Sequence, residues 1–319
     1  MHTLQKKRLF WQLPFLVLLI VGTIFVIRQK SLMPYQHTED FIFGTTYQIT
    51  YQYTIDLGDS IKEELLKVDQ SLSPFNEKSV ISAINYNQSA KPDKMFLDVY
   101  SKAQEISRET NGAFDITVAP LVNAWGFGFK HDQLPTPQQV DSLLKIRDQM
   151  DFSAIAKGYG CDVVARLLRS HGIENFMVEI GGEVVLSGHN DKGQPWHIGV
   201  NKPVENPEDG DLQTVLSITD CAIATSGNYR NFYYKDGQRY AHTIDPRTGY
   251  PVQHSLLSAT VVAADCATAD AYATSFMVLG LDSAQAVLNS HPELKAYLIY
   301  SDESGQMSVW RSETLDCEL

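Results

Sequence analysis

Cysteine is scarce in this chain, and its four cysteines stand far apart. They are Cys161, Cys221, Cys266 and Cys317. None forms the C-x-x-C pair that is typical of many zinc and redox sites. We expect these side chains to be small buried hydrophobes, and the spacing leaves any disulfide pairing open.

Basic residues are also few, with 26 Lys and Arg against 38 Asp and Glu. All five basic residues of positions 1–30 lie in a segment without acidic residues, so the rest of the chain carries 38 acidic against 21 basic residues. Such a surface disfavours nucleic acid as a partner. A polyanionic ligand would need a cation to bind here.

The chain has no Pro/Ser/Gly-rich linker, no block of charge and no visible internal repeat. Its 319 residues, 44% hydrophobic and 20% charged, are enough to bury a large core. We therefore predict one domain over residues 41–319. A linker over 31–40 is predicted to join it to the membrane segment described next.

One long apolar run exists, from Leu9 to Ile27, with Lys6, Lys7 and Arg8 before it. Its length matches a hydrocarbon core of roughly 30 Å. A cleaved signal peptide is the alternative, but no small-x-small site follows the run. Residues 1–30 are thus predicted to be a cytoplasmic tip and an uncleaved anchor, which places the domain outside the inner membrane of a bacterium.

Strands and helices alternate without a regular βαβ period. Residues 46–53 alternate as in a half-buried strand, and helices are predicted over about 93–110, 153–171 and 266–279. Thr136-Pro137 reads as the N-cap and first residue of another helix. Several connections between strands are too short for crossovers, so we predict an α+β fold with mixed, largely antiparallel sheets flanked by helices.

Small and polar residues concentrate in six segments, each of them weak evidence alone. The segments are Gly112 to Gly128, Asp151 to Gly160, Glu179 to Glu183, Ala224 to Arg230, His242 to Gly249 and Cys266 to Thr274. In this order they resemble the ApbE family of FAD:protein FMN transferases, over nearly all of the chain after the anchor. The resemblance implies an enzyme that cleaves FAD with Mg²⁺, attaches FMN to Ser or Thr of an acceptor protein, and releases AMP.

Asp270 and Thr274 lie four residues apart on a predicted helix, so both side chains leave the same face. A carboxylate, a hydroxyl and a backbone carbonyl suit Mg²⁺. The resemblance assigns the carbonyl to Ala154. Without the resemblance, Asp270 would be read as a solvated or capping residue, and Thr274 as bonded to its own backbone.

Two short motifs combine turn chemistry with a role that the resemblance implies. Gly181-Gly182 reads as a two-residue hairpin turn, and in similar proteins this element approaches the flavin. Thr225-Ser226-Gly227 is either a turn at a strand end or a wall of the FAD site.

His242 precedes the turn sequence Asp245-Pro246-Arg247-Thr248-Gly249, for which a structural role is sufficient. An isolated histidine is usually structural. In the family, however, the histidine beside this turn lies near the FAD phosphates, so His242 is the candidate general base. Together with Asp270 of the predicted metal site, it makes up the candidate catalytic residues.

The resemblance implies further FAD contacts. Phe43 and Phe75 depart from the Met and Tyr that are usual in the family, and Phe75, beside Pro74, is as easily a core residue. The other candidate contacts are Ala113, Phe114, Asp115, Asp151 and Lys157.

The family implies envelope subunits of ion-translocating oxidoreductases, or other FMN-binding electron carriers, as acceptors. Two other functions compete with transfer. The first is an FAD pyrophosphatase that uses water at the same site, and the second is a non-catalytic flavin-binding protein at the membrane. Retention of Asp270, Thr274 and His242 argues against the second.

Overall fold

The computed structural model describes residues 14–24, 33–86, 88–127, 134–146, 148–204, 211–228, 232–235, 238–315 and 317–318. Among these residues no helix is both long enough and apolar enough to cross a membrane. Residues 14–24 are helical, and the remainder of the anchor predicted over 1–30 lies outside the described residues.

Helices and strands alternate along the described chain. Helices α1 to α8 cover Gly58–Leu72, Val80–Asn85, Lys94–Glu109, Ala119–Ala124, Pro137–Leu143, Ala156–Ser170, Cys266–Leu279 and Leu281–Ser290. Strands β1 to β13 cover Tyr35–Ile42, Thr45–Gln52, Phe176–Ile180, Glu183–Ser187, Trp196–Asn201, Leu212–Ile218, Cys221–Gly227, Phe232–Lys235, Gln238–Ala241, Leu256–Ala263, Lys295–Ser301, Met307–Arg311 and Cys317–Glu318.

The largest sheet has eight strands in the order β1-β2-β3-β4-β7-β10-β11-β12, and every neighbouring pair is antiparallel. A three-stranded sheet, β13-β6-β5, and the hairpin β8-β9 are separate from it. The predicted α+β class with antiparallel pairing is confirmed.

Helix α7 packs against strands β7 and β10 and against helix α6, and it is buried along nearly its whole length. Ala267, Ala269, Ala271 and Ala273 are all buried. Their small side chains let the sheet and neighbouring helices approach α7 from all sides. This central position makes α7 a rigid support for any site that it carries.

Capping residues in the sequence predicted the starts of several helices correctly. Asp93 caps α3 by accepting a hydrogen bond from Phe96 N, and Thr136 forms a capping box with Gln139 before α5. The strand predicted over 46–53 is β2, and the helix predicted over 266–279 is α7.

Two predicted boundaries need correction. The linker predicted over 31–40 is wrong from Tyr35 on, because Tyr35–Ile42 forms β1, an edge strand paired with β2. Helix α6 begins at Ala156 and not near Ser153, because Ser153 N donates to the Asp151 carboxylate and opens a turn instead. The described fold therefore starts before residue 41.

Candidate functional site

A cavity of about 540 Å³ opens at the end of the large sheet where β3 turns into β4 and β7 ends. It is lined by all but one of the site residues predicted from the sequence. These are Phe75, Ala113, Phe114, Asp115, Asp151, Ala154, Lys157, Gly181, Gly182, Thr225, Ser226, Gly227, His242, Asp270 and Thr274. A larger depression, of about 810 Å³ at the opposite ends of these strands, holds none of them.

Close contact between α6 and α7 forms the back of the cavity. A Cβ atom at Gly158 would lie 2.3 Å from the carbonyl oxygen of Cys266, so only glycine fits at this crossing. The Asp162 carboxylate of α6 accepts hydrogen bonds from the N–H groups of Cys266 (2.8 Å) and Ala267 (3.0 Å). It thereby satisfies backbone donors at the start of α7.

Asp270 lies inside this contact and is 5% exposed. Its Oδ2 accepts a hydrogen bond from Gly158 N at 3.1 Å. Burial raises the pKa of the Asp270 carboxyl, and the nearby charge of Lys157 opposes that rise. The reading of Asp270 as a solvated or capping residue is wrong, because the N-cap of α7 is Asp265.

Thr274 follows Asp270 by one turn of α7 and also lines the cavity. Near them, the Ala154 carbonyl is not used to start α6. Among the described residues, the N–H groups of Ile155 and Ala156 both donate to the carbonyl oxygen of Phe152. Gly158 N donates to the Asp270 carboxylate, and Tyr159 N donates to the carbonyl oxygen of Ile155. A carboxylate, a hydroxyl and a carbonyl therefore border one cavity.

This donor set suits a hard divalent cation. The described residues contain no cluster of three His, Cys, Asp or Glu side chains that could hold a metal. A metal at this cavity would thus rely on mixed oxygen ligands and, as its remaining ligands, on water or phosphate oxygens. Mg²⁺ commonly keeps several such non-protein ligands.

Glu183 was not predicted as a site residue, yet it lines the cavity. Its Oε1 lies 2.5 Å from Lys157 Nζ, and the residue is only 4% exposed. Burial is the main cause of a raised pKa, to about 7, which Lys157 opposes and Asp270 reinforces. A charged residue directly before the apolar run Val184 to Leu186 is the sequence signal that could have identified it.

Gly181 and Gly182 form the predicted hairpin turn between β3 and β4, with φ values of 63° and 103°. Positive φ at both positions favours glycine. A Cβ at Gly181 would lie 2.8 Å from Thr45 Cγ2, whereas one at Gly182 would meet nothing within 4 Å. Gly182 thus leaves open space at the cavity rim.

Thr225, Ser226 and Gly227 end β7 and pair with β10, so they are strand residues that also form a wall of the cavity. The hydroxyls of Thr225 and Thr260 are 2.8 Å apart. The turn predicted as one alternative is therefore wrong, whereas the other alternative, a wall of the FAD site, stays a prediction for these cavity-lining residues.

Loops form the opposite side of the cavity. The Asp115 carboxylate accepts hydrogen bonds from Thr117 N and Thr117 Oγ1, and Asp151 N donates to Ile116 O. The first two bonds shape one loop, and the third joins it to the other beside Ala113 and Phe114, whose side chains are buried.

His242 enters the cavity from the loop before the predicted turn. Its ring lies edge-on to Phe127, with centroids 6.3 Å apart. The turn itself is fixed by Asp245, which accepts hydrogen bonds from Arg247 and Gly249. Its structural role is confirmed.

The two sides of the cavity differ in character. We call Lys157, Glu183, Asp270 and Thr274 the helix wall. We call Phe75, Asp115, Phe127 and His242 the loop wall. Apolar lining residues that the sequence did not single out are Ile116, Val118, Val122, Phe127, Val200, Ile244 and Val278.

Phe43 is the one predicted contact that does not line the cavity. It has a φ of 52°, and its ring lies over Gly160 of α6, where it packs against two core clusters. The structure thus packs the half-buried Phe43 against the core, and its contact with FAD stays a prediction. Of the cysteines, Cys161 and Cys266 are buried as expected, Cys221 is half-buried, and the side chain of Cys317 lies outside the described residues.

Comparisons with known proteins agree with this arrangement. The sequence profile of the ApbE family matches residues 43–298. An FAD:protein FMN transferase of Vibrio cholerae is 37% identical over 298 residues, which cover 84% of this chain and 88% of that protein. One from Haemophilus influenzae is 35% identical, covering 90% and 94%.

Solved structures show the same fold. The flavin transferase ApbE from Vibrio cholerae superposes with a TM-score of 0.80 at 35% identity, covering 88% of this chain and 98% of that one. The Pseudomonas stutzeri flavinyl transferase ApbE in its apo form gives a TM-score of 0.77 at 26% identity, covering 88% and 95%. This chain belongs to the ApbE family.

Proposed function

We propose that this protein is an FAD:protein FMN transferase that attaches FMN through a phosphoester bond to Ser or Thr of an acceptor protein. The observation that carries the proposal is the convergence of Asp270, Thr274, the Ala154 carbonyl and Lys157 on one cavity. An acidic enzyme needs such a site, because FAD brings two negative charges on its pyrophosphate. The names of its relatives support the same reaction.

Mg²⁺ would be held by the Asp270 carboxylate, the Thr274 hydroxyl and the Ala154 carbonyl. When bound, it would neutralise charge on the pyrophosphate and favour departure of AMP. The hydrogen bond from Gly158 N fixes the Asp270 carboxylate in advance, so little reorganisation is needed. Lys157 adds a positive charge from the same side.

The acceptor hydroxyl oxygen attacks the phosphorus nearest riboflavin, and the bond from that phosphorus to the bridging oxygen breaks. His242 lines the same cavity as Lys157 and Asp270, and in this proposal a nitrogen of its ring takes the hydroxyl proton. AMP leaves with the bridging oxygen. Phe75, Ala113, Phe114, Asp115, Asp151, Gly181, Gly182 and Thr225 to Gly227 provide the remaining FAD contacts.

The location of the enzyme belongs to the same proposal. Residues 1–30 anchor the protein in the inner membrane of a bacterium, and the catalytic domain faces the periplasm. The basic residues before the apolar run and its length support this orientation. The acceptors are then envelope electron-transfer subunits exposed on the same side.

The test uses the full chain in detergent with FAD, Mg²⁺ and an FMN-accepting domain. Covalent flavin is read as fluorescence of the acceptor band in a denaturing gel, and AMP is measured in parallel. Fluorescent acceptor that disappears with EDTA supports the transferase. Release of AMP without a labelled acceptor would favour an FAD pyrophosphatase, and neither product would leave a flavin-binding protein.

A further inference from the structure

Two neighbouring elements, β3 and α6, hold Glu183 through three contacts. It is the first residue of β4 and pairs with Ile180 across the glycine turn. Its backbone carbonyl accepts a hydrogen bond from the Cys161 thiol of α6 at 3.2 Å, and its Oε1 accepts one from Lys157. The carboxylate therefore has one well-defined position at the edge of the cavity.

The second carboxylate oxygen is different. Glu183 Oε2 is buried and has no hydrogen-bond partner among the described residues. A buried carboxylate oxygen without a donor costs free energy, and such atoms are rare in folded proteins. Oε2 itself has almost no accessible surface, but Glu183 lines the cavity, so a small shift of the side chain on binding would bring this oxygen to a donor of the bound molecule.

The neighbours of Glu183 indicate which kind of donor this is. Lys157 and Asp270 both interact electrostatically with Glu183, so Glu183 lies at the end of the cavity where the proposed function places the phosphates. In FAD, the groups attached to the pyrophosphate are sugar and ribityl chains that carry alcohol hydroxyls. The attacking Ser or Thr of the acceptor also brings a hydroxyl to this point.

From this placement we propose that Glu183 Oε2 is a hydrogen-bond acceptor for an alcohol hydroxyl next to the pyrophosphate, while Oε1 holds Lys157. The inference rests on the proposed function and adds a substrate-contacting residue to it. The hydroxyl belongs either to FAD or to the acceptor protein. The two sources predict different kinetic effects.

Glu183→Gln is the informative substitution, because it has the same shape. Lys157 can only donate, so it selects the amide oxygen, and the amide NH₂ then takes the place of Oε2. At the position of Oε2, a hydrogen-bond acceptor is thus replaced by a hydrogen-bond donor that faces the hydroxyl. Losing one charge-assisted hydrogen bond corresponds to about a ten- to hundredfold change.

Two quantities separate the sources. The Kd of FAD is measured with Mg²⁺ and without acceptor, and the transfer rate is measured at saturating FAD with the acceptor domain. A weaker Kd in E183Q assigns the hydroxyl to FAD. An unchanged Kd with a slower transfer at saturating FAD assigns it to the acceptor Ser or Thr.

The matched control is Glu179→Gln. Glu179 lies on the same hairpin and accepts a hydrogen bond from Gly182 N at 2.9 Å, but it does not line the cavity. An amide oxygen can keep that bond. If E183Q and E179Q give the same Kd and the same transfer rate, the inference is overturned while the transferase stands.

A second variant guards against a folding defect in E183Q. Glu183→Asp keeps the charge beside Lys157 but withdraws both oxygens by one carbon–carbon bond, so we expect the same parameter to worsen at least threefold. Wild-type values in E183D would overturn the inference. A wild-type protein that neither binds FAD nor labels an acceptor would instead overturn the proposed function on which it rests.

Discussion

The helix wall and the loop wall of the cavity differ in how far the fold covers their side chains. Asp270 and Glu183 are 5% and 4% exposed, whereas Phe75 of the loop wall is 68% exposed. The charged groups are held by Gly158 N and Lys157 from within the core. In the proposed function, the groups assigned to the phosphates are thus fixed in advance, while the side chain assigned to a ring of FAD can adapt.

This difference predicts that the helix wall is necessary for the reaction but not for folding. We expect Asp270→Ala to lower transfer by more than about a hundredfold, because the proposed Mg²⁺ loses its only charged protein ligand. The variant should also lose the rise in Tm that Mg²⁺ gives to the wild type. Removal of this buried carboxyl offsets the loss of the hydrogen bond from Gly158 N, so the Tm without Mg²⁺ should change little.

Asp282→Ala is the control for this substitution, since Asp282 is an exposed acidic residue in the first turn of α8. It should keep both transfer and the Mg²⁺-dependent rise in Tm. Full transfer by D270A, with its Mg²⁺ response intact, would refute the metal site and the division between the walls.

The support of the helix wall is tested by Gly158→Ala. The added Cβ would lie 2.3 Å from the Cys266 carbonyl oxygen, so the two helices must separate. We expect the free energy of unfolding to fall by about 2–3 kcal/mol, after the gain in helix propensity is included. Urea unfolding measures the loss, and transfer should fall with it because Gly158 N bonds to Asp270.

Gly160→Ala, two residues along the same helix, provides the comparison. Its Cβ would lie 2.9 Å from the edge of the Phe43 ring, which can shift where a backbone carbonyl cannot. We expect a loss below about 1 kcal/mol. If G160A destabilises the protein as much as G158A, the close approach of α6 and α7 is not what holds the wall.

The sequence predicts the two walls unequally well. Asp270 and Thr274 were predicted through the family resemblance, their four-residue spacing on one helix face is local information, and the bounds of α7 agree with those predicted. Strand β1 was missed because its residues are mostly polar, as suits an edge strand. Glu183 was missed because its partner, Lys157, lies 26 residues earlier and on another element.

Phe43 shows the limit of a prediction from motif position. A family position suggested a flavin contact, but nothing local in the sequence shows that Gly160 of α6 leaves room for the Phe43 ring. Tertiary packing decides whether an aromatic side chain faces a cavity or the core. Motif position alone does not contain that information.

The buried charge of Glu183 predicts a pH dependence of stability. Its pKa is raised from an ordinary 4.5 to about 7, with Lys157, Cys161 and Asp270 as its charged or titratable neighbours. Below about pH 4.5 the carboxyl is protonated in both states. Above about pH 7 the folded state carries a buried charge, which costs about 3 kcal/mol.

Wild-type stability should therefore fall, relative to that of Glu183→Gln, as the pH rises from about 4.5 to about 7. Urea unfolding of both proteins across this range gives the difference, which removes the contribution of other carboxyls. Glu303→Gln, at an exposed turn, should run parallel to the wild type. A constant difference between wild type and E183Q would show that Glu183 does not titrate in this window.

The smallest effect is expected on the loop wall, from Phe75→Ala. Loss of an aromatic contact with a ring of FAD should weaken FAD binding by about three- to tenfold. The free energy of unfolding should hardly change, because the side chain is 68% exposed. Tyr86→Ala, which removes an equally exposed aromatic outside the cavity, should change neither quantity.

If F75A instead abolished transfer as completely as D270A, the loop wall would be as strictly required as the helix wall. Adaptability would then not be what distinguishes the two sides.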